Sequence, residues 1–426
     1  MRVQPALINA RIILFTRYPV AGEAKTRLVP VLGADGAAAL QRRMTAFAVR
    51  QVVEAGIPLQ IRFTGGTAAQ MQAWLGDQHD YVPQGDGDLG GRMERAFADA
   101  FAQGARKVIV VGCDCPDNRA ANLQVAIRAL DHAPCVIGPA RDGGYYLIGL
   151  REPRPDLFHG IDWGTSSVLQ QTLAKTEACV QLPVLDDVDE RDDIPQKISV
   201  VIPARNEAAG IAAVVRQVLE GFNTEAIVVD GGSCDQTREL AAQAGATVLG
   251  SKPGRATQMD AGAQSATGDV LFFLHADSVL PEAWDRHIRR VIKQPRTMLG
   301  HFRFAISGEF RGRRWVEWAT NIRASHFKRP YGDQGLFLRR RDFFALGGFP
   351  AVPILEDVLL VREARRRGRI SCTHTPLATS GRRWMQYGMI RTTWLNQRIL
   401  LAAWLGADLA HLQQVYRQGA VRHENR

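Results

Sequence analysis

The sequence predicts an α/β protein made of two consecutive αβα units with mostly parallel sheets. Three observations lead there. The chain has 426 residues, and at roughly 100–200 residues per domain that length suits two or three cores. Short apolar strands alternate with helical patterns in both halves, the signature of βαβ units. The charge is uneven: residues 1–196 hold 20 Lys+Arg against 23 Asp+Glu, while residues 197–426 hold 33 against 20. The boundary is visible locally. The acidic run Asp186-Asp187-Val188-Asp189-Glu190-Arg191-Asp192-Asp193 ends at Ile194-Pro195-Gln196, and an apolar strand starts afresh at Ile198. The expected units are therefore 1–196 and 197–426.

The elements follow in order. Ile12 to Thr16 and Ile198 to Ile202 are β-branched-rich runs that read as buried parallel strands. Further strands are expected at Lys107 to Val111, Ala226 to Val229 and Asp269 to Leu274, with helices at Gly33 to Glu54, Ala208 to Leu219 and Pro281 to Lys293. With 46% hydrophobic residues, disorder is excluded as the main state. The longest apolar runs fall far short of the roughly 18–20 residues that cross a bilayer. Arg11 and Arg17 interrupt the first hydrophobic stretch, so no signal segment is expected. The six cysteines show no zinc spacing and read as reduced thiols of a cytoplasmic protein.

Ligands of such sheets sit beyond the carboxyl ends of the strands, which directs attention to the residues there. In the second half Arg205 and Glu207 follow the first strand. Asp230 ends the second strand, before two glycines, and can accept hydrogen bonds from a ribose or base. His275 and Asp277 follow the third, where a carboxylate can hold a divalent cation bridging a diphosphate. Lys252 and Arg255 lie near a helix N-terminus suited to phosphate. Each fragment alone has a structural reading as turn, cap or solvated residue; their order on successive strand ends argues for a site.

That order resembles the family 2 glycosyltransferases over residues 198–417, most nearly the arsenosugar-biosynthesis subfamily. Segment 331–340 with Asp333 and Gln334 looks like the acceptor side, segment 347–360 like the Glu-Asp catalytic segment, and Arg383-Trp384 like the basic-aromatic motif. The resemblance implies a fold of the GT-A type and inverting sugar transfer from a nucleotide-sugar donor, with Mg²⁺ or Mn²⁺. Asp357 matches the base and Glu356 a residue that orients it or closes the site; a helix-terminal acid pair is the structural alternative. The usual Asp-x-Asp metal motif reads His275-Ala276-Asp277 here, which leaves Asp277 as the metal ligand.

In the first half Arg17, Lys25 and Arg27 share one loop after the first strand, a cation set suited to a triphosphate or pyrophosphate. Asp114 follows a strand, a position suited to Mg²⁺. Asp142 and Gly143 lie on a Gly-rich turn, residues 162–169 read as a polar-capped helix start, and Asp187 or Asp189 offers a second metal ligand. Residues 11–195 resemble the domain carried by the arsenosugar-associated glycosyltransferases, a family similar to 2-phospholactate guanylyltransferase and the molybdenum-cofactor nucleotidyltransferases. The Leu-x-Gly-Gly-x-Gly loop of sugar nucleotidyltransferases is absent, and Lys25-Thr26-Arg27-Leu28 stands closer to the phospholactate enzyme. Two readings remain open. Lys25 and Arg27 steady an NTP while Mg²⁺ on Asp114 assists attack on its α-phosphorus, or the same pocket holds a nucleotide-sugar donor.

From residue 286 onward the chain has 27 Lys+Arg against 9 Asp+Glu, mixed with Trp315, Trp318, Trp384, Trp394 and Trp404. No nucleic-acid motif accompanies them, and no nucleic-acid partner is expected. Trp384 to Arg417 reads as one or two helices packed on the catalytic domain, or as a peripheral contact with an anionic membrane. The whole reads as a bifunctional cytoplasmic enzyme with nucleotide-sugar and NTP-like ligands. Two consecutive glycosyltransferases, and a nucleotide-sugar-binding scaffold with a decayed site, are the alternatives.

Overall fold

The computed structural model describes residues 9–421, and within its C-terminal helices not every side chain. Contacts divide it into two compact units, Met1–Pro195 and Gln196–Arg426. The first contains β1 (Ala10–Arg17), β2 (Leu59–Thr64), β3 (Asp80–Pro83), β4 (Lys107–Gly112), β5 (Cys135–Pro139), β6 (Tyr145–Leu150) and β7 (Cys179–Gln181). The second contains β8 (Ile198–Ala204), β9 (Thr224–Asp230), β10 (Thr247–Gly250), β11 (Val270–Phe273), β12 (Thr297–Ser307), β13 (Leu336–Arg339) and β14 (Arg369–Ser380).

The two sheets run β3-β2-β1-β4-β6-β5-β7 and β10-β9-β8-β11-β13-β12-β14. Counted within each unit, the order is the same. All pairings are parallel except those of β6 with β4 and β5 and of β13 with β11 and β12. The expected mostly parallel sheets are thus present in both units, each with one reversed strand. That strand was not foreseen, because β6 and β13 are as apolar as their parallel neighbours and carry no mark of direction.

Successive side chains of a strand point to opposite faces, and helices cover both. Ile12, Leu14, Ile61 and Ile109 pack with Leu123 and Ile127 on one face, while Ile13, Val108 and Val110 pack with Met93 and Phe97 on the other. In the second unit Val200, Ile202 and Phe272 face Val214, Val218 and Trp284, and Val201, Leu271 and Phe273 face Met259, Ala263 and Phe343. Burial on both faces explains why these strands read as continuous apolar runs rather than alternating ones.

The expected helices are found at Val29–Ala55, kinked at Gly33, at Ile211–Leu219 and at Trp284–Ile292. The helix expected to start with a polar cap spans Val168–Leu173, and its Ser167 makes no capping hydrogen bond. In the helix Trp284–Ile292, the buried Asp285 carboxylate accepts from Arg289 Nη1 at 2.8 Å and from the Phe222 N–H at 3.0 Å. Arg289 Nε donates to the Gln196 carbonyl at 2.9 Å, fastening the first residue of the second unit to its core. The C-terminal stretch forms three helices, Arg382–Tyr387, Met389–Trp404 and Leu409–Val421, rather than one or two.

Phe272 is fully buried against the rings of Trp284, Phe302 and Phe337, with centroids 5.6, 5.6 and 6.2 Å away. Phe272→Ala should destabilise the second unit by about 3–5 kcal/mol, read from its urea unfolding transition. A loss below about 1 kcal/mol would contradict this packing.

Candidate active sites

In a parallel sheet the carboxyl ends of neighbouring strands share one edge, and a reversed strand begins at that edge. In the first unit Asp114 follows β4, and residues 142–144 enter β6. Val111 of β4 pairs with Leu147 of β6, which brings these segments together. The stretch after β7 comes to the same edge, where the Leu185 N–H donates to the Pro139 carbonyl at 3.1 Å and the Val188 N–H to the Asp114 carbonyl at 3.0 Å.

Lys25 stands at the centre, with a left-handed backbone (φ 48°). Its ammonium lies 2.9 Å from Asp114 Oδ1 and 3.0 Å from Asp189 Oδ1, and donates to the Val188 carbonyl at 2.7 Å. Burial alone would lower its pKa, but Asp114 and Asp189 outweigh it and hold the ammonium well above the ordinary lysine value. Arg27 reaches Asp189 Oδ2 at 3.3 Å from an exposed position. The cavity here has a volume of about 530 Å³ and is lined by Arg17, Lys25, Arg27, Asp114, Tyr145 and Asp189, among others. Burial, then the charges of Asp142, Asp189 and Asp114, push the Asp187 carboxyl up to about 6. The edge therefore carries more negative charge than Lys25 balances.

Beneath it, Thr16, Gln41, Thr45 and Cys113 form a buried polar layer. Burial pushes the Cys113 thiol up to about 11, so it stays neutral. Two expected ligand residues also shape the backbone of this edge. Asp142 accepts from the Gly144 N–H at 2.8 Å. Gly143 has φ +92°, and a Cβ there would lie 2.2 Å from the Ser166 carbonyl oxygen. Gly143 thus permits close packing of two loops.

In the second unit β9, β8 and β11 are neighbours, so Asp230, Arg205 with Glu207, and His275 with Asp277 line one edge. Asp230 is buried and accepts from the Gly232 and Ser233 N–H groups at 3.2 Å, shaping its own loop. Arg205 and Lys252 are exposed and Asp277 half-buried. The reversed strand β13 is entered through the turn Gly332–Gln334, since Leu336 pairs with Phe273.

This turn meets the helix Glu356–Arg367. The Gly332 N–H donates to Asp357 Oδ2 at 2.5 Å, and the Val358 N–H to Asp357 Oδ1 at 2.8 Å. A Cβ on Gly332 would lie 3.1 Å from Asp357 Oδ2 and 3.3 Å from His275 Nε2, so these two side chains flank the same point. Leu355, just before the acid pair, has φ +66°, a strained backbone for a bulky residue of the kind that collects at functional sites. Glu356 is buried, with Arg255 Nε 3.9 Å from its Oε1. Burial, then Asp357, raises its pKa, and Arg255 opposes this. Burial is also the main cause that pushes Asp333 up to about 6, with Arg323 opposing and Asp357 adding to it. Asp333 Oδ1 is buried without a hydrogen-bond partner.

Three residues escaped the sequence reading. Arg323 stacks on Tyr331, 3.4 Å from guanidinium carbon to ring centroid, and Asp260 accepts from the Phe349 N–H at 3.0 Å, tethering the loop before the acid pair. Arg323 is one arginine among many, and Tyr331 opens the segment 331–340 with nothing in the sequence to mark its ring as a stacking partner. For Asp260, an acid within a helix pattern gives no signal. Two expected acceptor residues are placed otherwise. Gln334 is fully buried and donates to the Phe302 carbonyl at 3.3 Å, so it holds the turn rather than facing an acceptor. Trp384 packs between Phe304 and Phe310. The Arg383 side chain and that of Trp404 lie outside the described residues.

Acidic and basic side chains gather at the carboxyl edge of each sheet, where ligands of open α/β sheets bind. Residues 199–351 match the model of glycosyl transferase family 2, and residues 47–165 that of "uncharacterized protein conserved in bacteria (DUF2064)". The chain thus carries a DUF2064 segment followed by a family 2 glycosyltransferase segment. Over 97 residues it is 33% identical to the glucosyl-3-phosphoglycerate synthase of Mycolicibacterium smegmatis, covering 20% of this chain and 32% of that protein. The chain therefore spans about a third of the length of the curated relatives it matches. Among solved structures, a Desulfovibrio desulfuricans G20 protein assigned to the nucleotide-diphospho-sugar transferases is 39% identical, covering 43% of this chain and 83% of that one, with a TM-score of 0.42. A Pyrobaculum calidifontis mannosyltransferase in complex with GDP-Man and Mn²⁺ is 16% identical, covering 48% and 61%, with a TM-score of 0.38.

Lys25→Met leaves Asp114 and Asp189 facing each other, which should lower stability by roughly 1–3 kcal/mol. Added Mg²⁺ should raise the variant's melting temperature more than the parent's; equal shifts would contradict the surplus charge. Asp333 has a folded pKa of about 6 against an ordinary 3.8, so stability should fall as pH rises across that window and stay reduced above it. Asp333→Asn should therefore match the parent at pH ~4 and exceed it by roughly 1–3 kcal/mol at pH ~7.5. A difference independent of pH would contradict this.

Proposed function

We propose that the second unit transfers a sugar from a nucleotide-sugar donor to an acceptor hydroxyl, with inversion at the anomeric carbon. The observation that carries this is the Asp357 carboxylate, clamped by the Gly332 and Val358 N–H groups at the carboxyl edge. The family 2 segment and the likeness to glucosyl-3-phosphoglycerate synthases support sugar transfer.

Asp357 takes the proton of the acceptor hydroxyl as its oxygen attacks the anomeric carbon, and the bond to the donor phosphate breaks with its electron pair. Arg205, Lys252 and Arg255 meet the departing diphosphate, while Glu207 and Asp230 hold the nucleoside. Glu356 and Asp333 keep the pocket around Asp357 closed and oriented. Among the described residues no group of three His, Cys, Asp or Glu side chains is arranged for a metal ion. A single carboxylate still suits Mg²⁺ or Mn²⁺, which take further ligands from substrate phosphates. Asp277 would hold it in this unit, and Asp114 with Asp189 in the first; when bound it neutralises charge on the phosphates.

The first unit, in this reading, binds nucleotide phosphates through Arg17 and Arg27, while Lys25, whose three donors go to Asp114, Asp189 and the Val188 carbonyl, positions those two acids, and the unit makes the activated donor from an NTP and a sugar 1-phosphate. A second reading, two consecutive glycosyltransferases, is favoured by the identical strand order of the two sheets. An arsenic-bearing acceptor rests on the subfamily resemblance alone.

Asp357→Asn should reduce sugar transfer at least ~10³-fold while leaving nucleotide-sugar affinity near that of the parent. Unimpaired turnover would remove the assignment. With full-length protein, NTP and sugar 1-phosphates, pyrophosphate release should be lost in Lys25→Met and kept in Asp357→Asn. No release from the parent across a broad panel favours the second reading.

A further inference from the structure

The helix Arg313–Ser325 packs through one face only. Val316 and Ala324 are buried, and the Asn321 and Glu317 side chains accept from the Phe304 and Ile306 N–H groups at 2.8 and 2.9 Å. At 100° per residue the opposite face carries Trp315, Trp318 and Ile322. They are 55%, 60% and 36% exposed, and Phe327, just beyond the helix, is 56% exposed. Two tryptophans more than half exposed on one helical stripe are not accounted for by the core. The stripe is bordered by Arg311, Arg314, Lys328 and Arg329, all exposed.

We infer that this helix is a peripheral docking element for an anionic lipid bilayer. The chemistry of the patch selects the occupant. Tryptophan prefers the boundary between headgroups and acyl chains, and bordering cations gain from a negative surface. The charge is complementary over a wide region, since residues 286–426 hold 27 Lys+Arg against 9 Asp+Glu. No helix among the described residues is long and apolar enough to cross a membrane, so the contact is along the surface. The chain leads from this helix through residues 326–330 into Tyr331 and the turn that clamps Asp357. Docking would therefore bring the acceptor side of the second unit next to the bilayer. The surface contact itself does not depend on the glycosyltransferase reading; only that last consequence does.

Full-length protein is mixed with vesicles of phosphatidylcholine containing 30% phosphatidylglycerol, and with pure phosphatidylcholine vesicles, at ~50 and ~500 mM salt. Co-sedimentation should be at least tenfold stronger on the anionic vesicles at low salt, with a blue shift of tryptophan emission. It should collapse at high salt and in the Trp315→Ser/Trp318→Ser double variant. Both positions are exposed, so the variant should keep the parent's melting temperature and its nucleotide binding. Absence of vesicle binding by the parent, or binding indifferent to the two tryptophans, would overturn the inference. Concentration-dependent dimerisation lost in the double variant, with no vesicle binding, would assign the stripe to a second copy instead.

Discussion

Each unit depends on one reversed strand in an otherwise parallel sheet. A parallel strand delivers only its last residues to the ligand edge. The reversed β6 and β13 deliver their first residues there, alongside the ends of β4 and β11. The entry turn of β13 therefore lies beside His275, which follows β11. Its Gly332 N–H donates to Asp357, which opens the helix Glu356–Arg367 later in the chain. In the first unit the stretch after the parallel β7 reaches the same edge, where the Val188 N–H bond to the Asp114 carbonyl brings Asp189 to Lys25 and Asp114.

The same frame carries different side chains in the two units because the segments it delivers differ. After β7 comes the acidic run, which confronts a buried lysine and yields an anion-and-cation cluster around a cavity of about 530 Å³. After β14 comes the Gly381–Trp384 stretch, whose Trp384 stacks on Phe310 and caps an apolar patch. Asp114 and Asp277 occupy corresponding places, each just after the fourth strand of its unit. Electrostatics follow from this arrangement. Lys25 is locked in its charged form by two carboxylates, whereas Asp333 and Glu356 are held toward neutrality by burial beside Asp357.

Much of this was legible in the sequence. The strands at Ile12, Lys107, Ile198 and Ala226 announced themselves as β-branched runs, and the acids after them marked the edge. What was not legible required pairing. Nothing in Leu336–Arg339 distinguishes a reversed strand from a parallel one, because strand direction is set by the connection and not by the residues within it. Gln334 read as an acceptor-side group because the motif around it did, but its amide is consumed in the core by the Phe302 carbonyl. The partners of Lys25 lie far along the chain, at positions 114 and 189, and no local spacing could have shown that Lys25 joins those two acids. The stacking of Arg323 on Tyr331 was hidden in the same way.

The proposed function gives each unit its own nucleotide site at the corresponding edge of its sheet. It is tested most directly by calorimetric titration of the full-length protein with nucleotides and nucleotide sugars in the presence of Mg²⁺ or Mn²⁺. The account predicts two binding events per chain, one lost in Asp114→Asn and the other in Asp277→Asn, each variant keeping its second event. A single event, or the loss of both through either substitution alone, would contradict it.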